Sequence, residues 1–177
     1  KVGVYVRDAA QLSAETRQVY ERYFAALSAW YEALQVGTSG HSVYQAVVRV
    51  TGDLEAFGVG LNLGHGIHTE EWTSSPFYAG SQVLLRSGVM LQCDFSVFLP
   101  QRNIAVHAED GLILADAQTR AEIEKIAPAS YRRMCRRRQF LREVLGIGVS
   151  DEVLPTSDMP AVVFPCMADP SCVYANE

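Results

Sequence analysis

Two apolar runs of strand length, residues 89–99 and 104–115, are separated only by Pro100-Gln101-Arg102-Asn103. They read as neighbouring strands joined around that turn. Each carries an acidic residue at a set place, Asp94 in the first and Glu109 in the second. Side chains alternate along a strand, so His107 shares the face of Glu109. Upstream stands a histidine set between glycines, Gly64-His65-Gly66-Ile67. An imidazole and two carboxylates delivered by neighbouring strands can hold a divalent metal, because all three donate lone pairs and the carboxylates offset the ion's charge. A hydrolytic metal site is the leading idea.

The chain has 177 residues, 49% hydrophobic and 20% charged, enough for one substantial core and too few for two ordinary domains. A net charge of -5 and a pI near 5.4 argue against a general polyanion binder, which needs a basic face to displace counterions. No apolar run approaches the roughly 18–20 residues that span a bilayer. The start, Lys1-Val2-Gly3-Val4-Tyr5-Val6, is unlike a signal peptide. A soluble, cytoplasmic protein is expected, and a first residue other than Met suggests a processed or partial piece. The cysteines, 93, 135, 166 and 172, form no CxxC pair and read as reduced structural thiols; Cys166 and Cys172 leave pairing or metal binding open.

Residues 3–6 look like the end of a strand. From 14 to 34, Val19, Tyr20, Tyr23, Phe24, Leu27, Trp30, Tyr31 and Leu34 recur at intervals of three and four, which predicts a one-faced helix with its aromatics packed in the core. Gly37-Thr38-Ser39-Gly40 closes it and opens a second helix faced by Val43, Tyr44, Val47 and Val48. Alternation of Phe57, Val59, Leu61 and Leu63 predicts a half-buried strand leading into His65. Residues 69–80 read as a loop, and 118–145 as helix with a break at Pro128. The last thirty residues, with Pro155, Pro160, Pro165 and Pro170, are expected to be an extended tail without regular structure.

The segments around the histidine and the two acids resemble the pita-bread metallopeptidases: methionine and Xaa-Pro aminopeptidases, prolidases and the metal-free creatinases. The resemblance runs from Val2 to Ala115. Gly64-His65-Gly66-Ile67 resembles the family's GHGIG; Leu85-Arg86-Ser87-Gly88-Val89-Met90-Leu91-Gln92-Cys93-Asp94 resembles LKPGMVFTIE; Ala108-Glu109-Asp110-Gly111-Leu112-Ile113-Leu114 resembles IEDTVLV. It implies an α+β fold, part of a curved antiparallel sheet backed by helices, over residues 1–116, with a helical and Pro-rich extension over 117–177 on the same unit. It also implies that His65, Asp94 and Glu109 are three of five ligands to a pair of manganese, cobalt or zinc ions, and that the substrate is a peptide or small amide.

The sequence departs from the family pattern in three places. The family's two aspartate ligands have no assignable counterpart, so the expected metal pair is under-coordinated in this chain. Trp72 stands where a second histidine steadies the tetrahedral intermediate, and indole cannot supply that proton chemistry; His68 could substitute. Asp94 replaces a glutamate one methylene longer.

Other readings of these residues stay open. His65 reads as either a ligand or a hydrogen-bonded loop residue. His107 reads as either a support to Glu109 or an exposed side chain. Trp72 reads as either the cap of an apolar pocket or a packed loop residue. Arg132, Arg133, Arg136, Arg137, Arg138 and Arg142 on the last helix read as a solvated face or an interface with acidic residues, rather than a nucleic-acid surface. The functions in competition are a metal-dependent peptidase-like hydrolase, and a member of the same fold acting without metal or as a binding and assembly module. Homo-oligomers, or completion by a further N-terminal half, fit either.

Overall fold

A computed structural model describes residues 8–67 and 74–157. Their order is α1 (Ala14–Glu32), α2 (Gly40–Thr51), α3 (Leu54–Phe57), β1 (His65–Gly66), β2 (Met90–Leu99), β3 (Ile104–Leu114), α4 (Ala117–Ile126), α5 (Pro128–Glu143) and β4 (Val153–Pro155). The class is α+β, as expected. The strands form one antiparallel sheet in the order β1-β2-β3-β4. The expected strand end at residues 3–6 lies outside the described residues, as do His68, Trp72, Cys166, Cys172, Pro160, Pro165 and Pro170.

The helix boundaries follow from caps. Ser13 accepts from the Thr16 amide at 3.0 Å to start α1, and Ser39 accepts from Ser42 at 3.2 Å to start α2; each satisfies an amide that has no partner within the helix. Pro128 opens α5, where its missing N–H costs nothing. The break expected at Pro128 therefore separates α4 from α5.

Alternation divides β2 and β3 into two faces. Leu91, Cys93, Phe95 and Val97 point one way with Ile104, Val106, Ala108 and Leu112, all buried. Against them α1 lays Tyr23, Ala26, Leu27, Trp30 and Tyr31. The indole of Trp30 meets Tyr31 and Phe77 edge-on at 5.1 and 5.3 Å. The aromatic stripe is thus core, as its periodicity predicts. Tyr23 adds a clip: its hydroxyl donates to Phe95 O at 2.7 Å and accepts from Ala108 N at 2.8 Å, tying α1 to two residues that face each other across β2 and β3.

Two expectations need correction. Residues 57–63 do not form a strand. Asp53 caps a single helical turn by accepting from Ala56 at 2.7 Å, and Gly58 ends it in the left-handed region at φ 92°. The apparent period-two face also fails at Leu61, which is 66% exposed. The described start of the last thirty residues is likewise more regular than its prolines suggest. Val153–Pro155 is a buried strand on β3, pairing Val153 with Leu114 and Pro155 with Leu112. Pro155 sits at the end of an edge strand, where its lost donor is tolerated. No helix among the described residues is long and apolar enough to cross a membrane.

Candidate metal centre

The face of β2 and β3 turned away from the core carries the candidate residues. Asp94 is the direct partner of Glu109 and Ser96 the partner of His107, so Gln92, Asp94 and Ser96 lie beside His107 and Glu109. β1 adds His65 next to Gln92 on the other side of β2.

His65 is held there by backbone geometry. Gly64 has φ 113°, and a Cβ on it would fall 2.5 Å from Gln92 O, so the glycine before the histidine is required for β1 to lie against β2. Ser75 Oγ donates to Gly64 O at 2.6 Å, and Gly66 N donates to Ser74 O at 2.9 Å. The His65 ring places Nδ1 3.0 Å from Gly66 O. A carbonyl only accepts, so Nδ1 carries a hydrogen, and Nε2 is the ring atom turned to the Asp94 carboxylate.

Asp94 stands between two imidazoles. Its Oδ2 is 3.2 Å from His65 Nε2 and its Oδ1 is 3.5 Å from His107 Nε2. His107 Nε2 also lies 3.3 Å from Glu109 Oε2. One ligand atom from each of Asp94, His107 and Glu109 falls within 4.8 Å of the other two. Side-chain exposure rises from 4% at His65 through 21% at Asp94 and 28% at His107 to 36% at Glu109, so the cluster runs from the sheet's interior to solvent. This donor set of imidazoles and carboxylates fits a divalent first-row ion.

Of the three residues that carry the family resemblance, Asp94 and Glu109 belong to this group of three, and His65 touches it through Asp94. His107 is a full member of it. Gln92 and Ser96 carried no expectation: Gln92 donates to Glu109 Oε1, and Ser96 Oγ lies 2.9 Å from His107 Nδ1. Both sit at the even positions of β2 that flank Asp94, which is the signal that could have found them.

Beneath the site, Asp110 points into the core and meets Arg137 of α5 at 3.3 Å. Burial pushes the Asp110 carboxyl above its ordinary range, outweighing the opposite pull of Arg137. The arginines of α5 divide accordingly. Arg137 pairs in the core, Arg142 pairs with Asp151 at 2.9 Å, and Arg132 and Arg136 are exposed. An interface with acidic residues therefore accounts for part of that run and a solvated face for the rest. Cys93 and Cys135 are free thiols, and burial raises the Cys93 thiol well above its usual value.

No protein-family model matches the chain, and no curated protein matches it. Solved structures are similar to part of it. Dipeptidase PepE from Mycobacterium ulcerans is 22% identical with a TM-score of 0.49, the match covering 58% of this chain and 28% of that one. A dipeptidase from Pyrococcus horikoshii OT3 is 19% identical at 0.46, covering 58% and 29%. The X-Pro aminopeptidase from Thermotoga maritima MSB8 is 17% identical at 0.47, covering 59% and 30%. The chain spans less than a third of the length of each of these proteins.

Proposed function

We propose that this chain carries the metal centre of a peptidase-like hydrolase acting on a peptide or small amide, with His65, Asp94 and Glu109 as metal-binding residues. The observation that supports it is the His65 ring: its Nδ1–H is committed to Gly66 O, and its Nε2 is turned to Asp94, whose direct partner across the strands is Glu109. Imidazole nitrogens and carboxylates gathered on one open sheet face are the donor types that a divalent cation takes. A bound divalent ion would supply polarisation of the scissile carbonyl and acidification of water. The chain's own groups supply the rest. The two imidazoles hold Asp94 in place, Gln92 orients Glu109, and Glu109, the most solvent-facing of the four, is placed to accept a proton from a water at the open edge. In the same reading the protein is cytoplasmic and forms homo-oligomers or is completed by an N-terminal half, residues 1–116 belong to the catalytic part, and His68 and Trp72 have catalytic roles.

A second reading, a metal-free hydrolase or a binding module, is favoured by Trp72, which stands seven residues after His65 where the resemblance implies a catalytic histidine. One experiment addresses both: the full chain is assayed on Xaa-Pro dipeptides with manganese, cobalt or zinc, alongside Asp94→Asn, His68→Ala and Trp72→His. The metal reading expects turnover that a chelator and Asp94→Asn abolish and that Trp72→His raises, since one stabilising contact to a transition state is worth on the order of 3 kcal/mol. Turnover indifferent to chelator and to Asp94→Asn would move the assignment to the metal-free reading.

A further inference from the structure

We propose that His107 is itself a metal ligand, and that Asp94, His107 and Glu109 together hold a single zinc-class ion, which His65 reaches only through Asp94. This rests on the metal reading above and changes its ligand set. The separations carry the argument. Hydrogen bonds between an imidazolium and a carboxylate are short, about 2.7–2.9 Å. His107 Nε2 instead stands 3.5 Å from Asp94 Oδ1 and 3.3 Å from Glu109 Oε2. Two donors on one tetrahedral ion with bonds of about 2.0–2.2 Å lie roughly 3.3–3.6 Å apart. The spacing fits atoms that share an ion.

Three further features agree. Ser96 Oγ, 2.9 Å from His107 Nδ1, can accept the Nδ1 hydrogen and leave Nε2 as a lone pair, the arrangement by which a ligating histidine is usually oriented. On the other side of Asp94 the pattern differs: among the described residues no third ligand-type side chain gathers with His65 and Asp94, so that side orients the carboxylate. Finally, Asp94 has the shorter acidic side chain. Its direct partner on β3 is Glu109, and His107 lies diagonally across, so an ion drawn toward Asp94 meets both. An imidazole with two carboxylates and an open position suits zinc or cobalt.

The test uses the full chain, loaded with zinc or cobalt and followed by calorimetry, with His107 observed through nitrogen-15 NMR of labelled histidine. We expect one ion per chain, a shift of His107 Nε2 on loading, and loss of affinity of about 100-fold or more in His107→Ala. His65→Ala should lose only about 10- to 100-fold, as for a residue that orients a ligand. His107→Gln, together with thermal melts in the absence of metal, separates a folding defect from a lost ligand. Binding that His107→Ala leaves unchanged and His65→Ala abolishes overturns this ligand set while keeping the metal reading. If the wild-type chain binds no ion at all, both fall.

Discussion

Gly64 is the residue on which the position of His65 depends most directly. Its φ of 113°, and the 2.5 Å that would separate an added Cβ from Gln92 O, mean that Gly64→Ala must both strain the backbone and push β1 from β2. We expect a loss of about 2 kcal/mol in urea denaturation, with metal affinity falling in parallel because His65 no longer lies against Asp94. Unchanged stability would show that β1 is not held by that close approach. Asp110 and Arg137 make a second residue-scale case. Breaking a buried pair by removing one partner costs about 3–5 kcal/mol, whereas replacing both with apolar groups is often neutral. Arg137→Met should therefore destabilise at neutral pH, and Asp110→Leu/Arg137→Met should recover most of the loss. The pH dependence has a definite sign. The folded-state pKa of Asp110 is raised above 3.8, so between that value and the raised one the folded state binds more protons, and stability falls as pH rises through the window. Arg137→Met removes a lowering influence and extends the window upward. Its deficit should be smaller at about pH 5 than at about pH 7 in matched denaturation curves.

The elements differ in how readily the sequence discloses them. The face shared by His107 and Glu109, the helix of residues 14–34, and the break at Pro128 follow from period and proline alone, because each depends only on neighbours within a few positions. The convergence of Asp94 with His107 depends on register, which alternation does not determine. A slip of two residues would keep every face and set Glu109 opposite Gln92 or Ser96. What holds the register is the turn at Pro100–Arg102, which makes Leu99 face Ile104, supported by the Tyr23 hydroxyl spanning Phe95 and Ala108. The failed strand at 57–63 has the opposite cause: a capped turn between Asp53 and Gly58 overrode a real but weak alternation. β4 was obscured because three strand residues ending in proline carry almost no periodic signal of their own. Its place comes from β3, which offers Leu112, Ile113 and Leu114 as partners.

Across the whole molecule, the sheet separates the packed core from the candidate site by face. Phe95 is fully buried against α1, while its neighbour Asp94 points to the open side, one residue away on the same strand. Phe95→Ala should cost about 3–5 kcal/mol through lost burial and the cavity left behind, and its residual folded population should still bind metal. Asp94→Asn removes a half-buried charge lying between two imidazoles, with little loss of packing, so its metal-free stability should stay within about 1 kcal/mol of wild type. Linkage then gives a measurement that reads both faces at once. An ion that binds only the folded state adds about 2.7 kcal/mol when present at 100 times its Kd. Zinc should therefore raise the Tm of the wild type and of Phe95→Ala by comparable amounts, and leave that of Asp94→Asn where it was. A zinc-dependent rise of the same size in Asp94→Asn would place the ion elsewhere on the molecule and remove the open face of β2 and β3 as the site.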